Sequence, residues 1–121
     1  MTFKRFLLGL KSLGRVAELA SCMQQSGAPI RETLAYLQLI KLKYPYSLKM
    51  RNGVMLELSD WQDLTTVWVV FYGNEYALHP EDSVVVDCGA NIGAFSLLCA
   101  ARLSNAKIIA IEPFPSTYAR L

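Results

Sequence analysis

At 121 residues the chain is one domain's length, and a 53% hydrophobic content implies a packed core and excludes a disordered or low-complexity protein. A net charge of +2 is too small to argue for a nucleic-acid partner. Cys22, Cys88 and Cys99 have no metal-ligand spacing, so neither a disulfide framework nor a zinc site is expected, and no other metal site is read.

In chain order, Lys4, Arg5, Lys11 and Arg15 sit among Phe3, Phe6, Leu7, Leu8, Leu10 and Leu13. This is an amphipathic helix pattern interrupted at Gly14, with a second helical stretch from Val16 to Gln25. It fits a membrane-surface helix or, the commoner use and the one preferred, a helix packing on the rest of the chain or on a second copy. No apolar run reaches the ~18 residues needed to span a bilayer. Phe6–Leu10 is too short for a signal-peptide core, and a cytoplasmic location is expected. Ser26–Pro29 breaks the pattern. A helix is expected from Pro29 or Ile30 to about Lys43, ended by Tyr44-Pro45-Tyr46. Leu48–Leu58 alternates around Asn52-Gly53, a hairpin signature. Leu64–Tyr72 contains Thr65, Thr66, Val67, Val69, Val70 and Phe71, which favour strand, whereas Asp60 or Asp63 as an N-cap favours helix; helix is preferred. Trp61 and Trp68 read as packing residues before stacking platforms.

The most informative stretch follows. Val84-Val85-Val86 is β-branched and apolar on both faces, and it runs through Asp87-Cys88 into a turn, Gly89-Ala90-Asn91-Ile92-Gly93. Ala94–Arg102 places Phe95, Leu98, Cys99 and Arg102 at helical spacing, and Ile108–Ile111 repeats the buried-strand pattern, ending at Glu112. The unit predicted is strand, turn, helix, parallel strand, with a right-handed crossover. Glycines in the turn permit positive φ and close backbone approach, and the amides opening the helix can bind a carboxylate or other anion. Asp87 suits an ammonium or a bound water, and Glu112 suits a vicinal diol. Glu112 lies 19 residues beyond Gly93, close to the roughly 20 expected of a ribose-binding acid in such units. The pair marks a pocket for an adenosine-containing cofactor. Replacing Glu112 by Ala is expected to weaken cofactor binding without unfolding the chain. The one histidine, His79, reads as a turn residue before Pro80.

Asp87-Cys88-Gly89-Ala90-Asn91-Ile92-Gly93, followed by Ala110-Ile111-Glu112-Pro113-Phe114-Pro115, resembles the first two cofactor motifs of class I S-adenosylmethionine-dependent methyltransferases. More narrowly it resembles the FkbM family, typically O-methyltransferases acting on hydroxyl groups of sugars, polyketides and related metabolites. Asp63–Leu78 is also similar to the segment preceding the first strand in that family, which adds to the case for a helix over Leu64–Tyr72. The resemblance covers roughly residues 52–121. It implies a Rossmann-like methyltransferase fold with a doubly wound, mainly parallel sheet, incomplete at the C-terminus; with the hairpin included, that domain is expected to begin at residue 46, after the helical extension that patterning places over residues 1–45. It also implies S-adenosyl-L-methionine as cofactor, with Asp87, Gly89, Ala90, Asn91 and Gly93 around its methionine part, Glu112 on the ribose, and Glu75 and Tyr76 as the edge of a cover. The partner implied is a small-molecule or glycan hydroxyl acceptor. Asn91 stands where broader methyltransferase sets have glycine. No counterpart of the later motifs is present, so no catalytic residue is assigned.

Two other readings stay open. A nicotinamide-dependent oxidoreductase lacks its Gly-x-Gly-x-x-Gly fingerprint here, and Asp87 would repel a pyrophosphate. A truncated, catalytically inactive relic or interaction module would keep the sheet nucleus and dock through a strand edge. A two-stranded sheet that is apolar on both faces cannot cover itself, so the chain is expected to be part of a longer domain and, alone, unstable, oligomeric or inactive.

Overall fold

The computed structural model describes residues 30–50, 53–73 and 75–121. The amphipathic stretches read over the first 25 residues therefore lie outside the described residues, as does Asn52 of the hairpin signature. The described residues are mixed α/β, with one antiparallel and one parallel strand pair among them. The described residues up to Trp68 form one compact unit and Val69–Leu121 a second.

In the first unit, helix α1 (Ile30–Tyr36) buries Glu32, Thr33 and Ala35. It stops well short of Lys43, and the terminator is Gln38 rather than Pro45. Gln38 takes a left-handed conformation (φ 59°), its N–H donates to Ala35 O (2.9 Å), and the Leu39 N–H donates to Leu34 O (2.9 Å). This is a Schellman closure, which satisfies the last carbonyls of the helix and turns the chain away. Strands β1 (Tyr46–Lys49) and β2 (Met55–Leu58) pair antiparallel, with Leu48 opposite Leu56. Alternation puts Leu48, Leu56 and Leu58 inside, while Ser47, Lys49, Met55 and Glu57 face out. Gly53 (φ 86°) donates its N–H to Met50 O (3.1 Å), closing the hairpin.

Helix α2 (Trp61–Val67) runs on into a π-helical stretch, Trp68–Tyr72. The helical reading of this β-prone segment holds for identifiable local reasons. Asp60 caps the helix by accepting the N–H groups of Gln62 (2.8 Å) and Asp63 (3.0 Å), and Asp63 reaches back to the Ser59 N–H (2.7 Å). Thr65 and Thr66 turn their hydroxyls onto the carbonyls of Trp61 and Gln62, an outlet that lets threonine sit in a helix. Gly73 follows the π-helical stretch because a Cβ there would lie 2.7 Å from the Val69 carbonyl oxygen. The tryptophans act in packing: the Trp61 indole N–H donates to Ala35 O (3.2 Å), and Trp68 stacks on Tyr36 at 4.6 Å.

The second unit carries the expected strand, turn, helix, strand. Strands β3 (Val84–Cys88) and β4 (Lys107–Ile111) pair in parallel, with Asp87 opposite Ala110. Helix α3 (Ala94–Arg102) connects them, and α4 (Pro115–Tyr118) begins after β4 with Pro115 in its first turn. Leu98 and Cys99 are buried on α3, at roughly 1.5–3 kcal/mol for a leucine side chain taken fully out of water. Helix α3 covers one sheet face, that of Val85, Asp87, Ile108 and Ala110. On the other face Val84, Val86, Ile109 and Ile111 are exposed, so among the described residues the cover that their apolar character calls for is present on one side.

Candidate functional site

The site is built at the carboxyl ends of β3 and β4, all within the second unit. Strand β3 delivers Asp87 on the face that packs against α3, where the residue is buried. The Ser96 hydroxyl, on the first turn of α3, donates to Asp87 Oδ2 at 2.7 Å. The hydrogen bond from Ser96 engages one carboxylate oxygen and leaves Oδ1 as a second acceptor.

The glycine turn is fastened to the end of β4 by three successive backbone amides. Those of Gly89 and Ala90 donate to Ile111 O (2.8 and 3.0 Å), and that of Asn91 donates to Glu112 Oε2 (2.8 Å). The second Glu112 oxygen accepts the N–H of Phe114 (3.0 Å). One carboxylate thus ties the turn to the segment that leaves β4. Because two backbone amides depend on it, Glu112→Ala would loosen the turn as well as remove an acceptor, which the sequence reading did not foresee. A carboxylate has about four acceptor positions, so two remain for hydroxyl donors.

Three turn residues are left-handed: Gly89 (φ 82°), Asn91 (φ 51°) and Gly93 (φ 77°). Asn is the non-glycine residue best suited to that region, which explains how Asn91 stands between the two glycines. A Cβ at Gly89 would meet open space, so the backbone there is accessible from outside. At Gly93 a Cβ would come within 2.8 Å of Leu121 Cδ1. Gly93 is the N-cap of α3 and no side chain caps the helix, so its first amides can receive an anion.

Of the remaining residues singled out from sequence, Ala90 is buried in the turn, and Tyr76 packs its ring on Phe95 of α3 at 4.5 Å. Tyr76 is thereby held at the start of the helix that follows the glycine turn. Glu75 is exposed and makes none of the hydrogen bonds that build the turn. His79 is an exposed turn residue: its N–H donates to Asp82 Oδ2 (2.9 Å), and the Asp82 N–H returns to His79 O. Cys99 is fully buried, and burial, then the charge of Asp87, pushes its thiol above the ordinary 9.0. It is a packing residue, whereas Cys88 is exposed. No group of metal-ligating side chains occurs among the described residues, and none of their helices is long and apolar enough to cross a membrane. Ser96 and the Ile111 carbonyl were not singled out from sequence. Ser96 could have been, as a hydroxyl on the strand-facing side of an otherwise apolar helix.

No protein-family profile matches the chain, and no solved structure matches it. It is similar over short stretches to three characterised proteins. It shares 44% identity over 50 residues with the AMB antimetabolite synthetase AmbE of Pseudomonas aeruginosa, covering 41% of this chain and 2% of that protein. It is 41% identical over 44 residues to Methyltransferase 1 of Beauveria bassiana, covering 36% of this chain and 18% of that one. It is 49% identical over 39 residues to Methyltransferase sdnD of Sordaria araneosa, covering 32% and 15%. The chain therefore spans less than a fifth of each of these relatives.

Proposed function

We propose that this chain holds the cofactor-binding start of an S-adenosylmethionine-dependent methyltransferase domain of Rossmann-like, FkbM type, acting on a hydroxyl of a sugar or small metabolite. The observation that carries the proposal is the glycine turn held at the carboxyl ends of two parallel strands, with Asp87 beside it and Glu112 bonded to it. The names of two relatives, each a methyltransferase, support the same class of reaction.

The donors and acceptors present fit the cofactor's functional groups. The second oxygen of Asp87 suits an α-ammonium, and the uncapped start of α3 suits an α-carboxylate. The two remaining acceptor positions of Glu112 suit a ribose diol, and the open backbone at Gly89 permits close approach. When bound, the cofactor would supply an electrophilic methyl on its sulfonium, which an acceptor hydroxyl oxygen would take as the carbon–sulfur bond breaks, the neutral thioether leaving and the hydroxyl proton passing to water. Asp87 and Glu112 would orient the two ends of the cofactor, and the Tyr76–Phe95 ring pair stands at the helix start beside them.

Calorimetric titration of the folded chain with S-adenosylmethionine and, separately, with a nicotinamide dinucleotide tests this. Expected is binding of the first, weakened in Asp87→Ala and Glu112→Ala by roughly ten- to a hundredfold each, the worth of a charge-assisted hydrogen bond of about 1.5–3 kcal/mol. Glu112→Ala should also lower the thermal midpoint, since two backbone amides lose their acceptor. Preference for the dinucleotide, or no binding to either, would overturn the proposal, and the second outcome would leave the relic or interaction-module reading in its place.

A further inference from the structure

We infer that Ser96 is a positioning residue for Asp87, and that it makes this site select ligands bearing an α-ammonium group. The inference rests on the proposed cofactor reading and adds to it a residue that no motif designates. Ser96 is the third residue of α3, placed where the helix turns back over the strand it has just left. Its Oγ–H donates to Asp87 Oδ2 at 2.7 Å, within the short range of a hydroxyl bonded to a carboxylate.

The consequence is geometric. Asp87 is the next-to-last residue of β3, paired with Ala110, and the turn that follows is pinned to β4 through Gly89, Ala90 and Asn91. With the main chain held, the remaining freedom is rotation of the carboxyl group, which is broad for aspartate. The Ser96 hydroxyl restricts that freedom by holding Oδ2 on the helix side, which fixes the position of Oδ1 as the remaining acceptor. A cation meeting it finds an acceptor already oriented, and no orientational cost falls on binding. Serine at this position also departs from what burial alone would choose, because its neighbours along the covered side of the helix are Leu98 and Cys99.

The test compares two probes on the full chain. S-adenosylmethionine carries the amino-acid end. 5′-Deoxy-5′-methylthioadenosine keeps the nucleoside and the sulfur and lacks that end. Ser96→Ala and Ser96→Val remove the hydroxyl, and Ser96→Thr keeps it at nearly the shape of valine, so the Thr and Val variants differ in little besides that group. Expected is a loss of about tenfold in S-adenosylmethionine affinity for the Ala and Val variants, the range of a hydrogen bond to a charged group. Ser96→Thr should stay within about twofold of the parent. Affinity for the methylthioadenosine should be the same in all four proteins. Equal weakening of both probes would mean a structural role and overturn the inference, as would parent-like S-adenosylmethionine binding in the Val variant. Failure of the parent protein itself to bind S-adenosylmethionine is a separate outcome, and it would overturn the cofactor reading together with this one.

Discussion

Asn91 and Gln38 are the two non-glycine residues with left-handed backbones among those described, and they bear that conformation differently. Asn91 is a residue that tolerates it, and its N–H is held by Glu112, so the surrounding turn supports the conformation. Gln38 has neither advantage. It occupies the position of a Schellman closure where glycine is the usual residue. Gln38→Gly should therefore stabilise the chain by roughly 0.5–1 kcal/mol, the left-handed penalty relieved less the extra entropy that glycine loses on folding. A higher urea midpoint with unchanged slope would show it; a lower midpoint would mean that the glutamine side chain contributes more than its backbone conformation costs. Glu112 illustrates the same scale from the functional side. Its residue type suggested an acceptor for a diol, but the structure uses both of its oxygens to hold backbone amides, so affinity and local stability depend on one side chain.

Among the elements, α2 shows local chemistry prevailing over propensity. Its threonines and valines favour extended chain, yet the Asp60 cap, the return of Asp63 to Ser59 and the threonine hydroxyls bonded within the helix satisfy the groups that would otherwise oppose it. Asp60→Ala should cost about 1 kcal/mol, within the 0.5–2 kcal/mol range of lost caps, while Asp60→Asn or Asp60→Ser should keep most of the stability. Equal urea midpoints for the parent and the alanine variant would show that Asp60 contributes no net stabilisation. Helix α1 shows the opposite limit of sequence reading. Its start at Ile30 and its periodicity are legible, whereas its end is set by a glutamine adopting a conformation that nothing in its side chain announces. Similarly, β3, α3 and β4 were legible to within a residue, because β-branched runs, a glycine turn and an apolar stripe each occupy a few consecutive positions. The one-sided cover of their sheet was not. A run of valines and isoleucines states that burial is favourable without saying which face obtains it.

At the scale of the molecule, the resolved shifts in acidity among the described residues all belong to weak acids and all point the same way. Burial, first, raises the phenols of Tyr44 and Tyr46 above the ordinary 10.0. Burial also raises the thiol of Cys99 above 9.0. Asp60 and Asp63 add to the effect at Tyr44, and Glu32 adds to it at Tyr46 by accepting its hydroxyl hydrogen. Each group is neutral when folded at a pH where the unfolded chain would already release its proton. Their contribution to stability is therefore complete below the unfolded values and is lost as pH rises through the folded ones. The thermal midpoint should hold up to about pH 9 and fall beyond it. Tyr46→Phe should start from a lower midpoint, because Glu32 loses its donor, and should fall less steeply above about pH 10. A midpoint that stays level, or rises, across the alkaline range would contradict this.

What the residues determine by themselves is whatever a short stretch of chain can satisfy: the caps, the hairpin turn, the strand–turn–helix–strand succession, and two carboxylates near one glycine turn. What only the tertiary structure decided is the partner each carboxylate takes, Ser96 at nine residues' distance from Asp87 and the Asn91 amide at twenty-one from Glu112. Periodicity and capping act between near neighbours in sequence, and so they leave a pattern there. A hydrogen bond across a crossover depends on how a helix lies on its strands, and packing fixes that only once the elements have met.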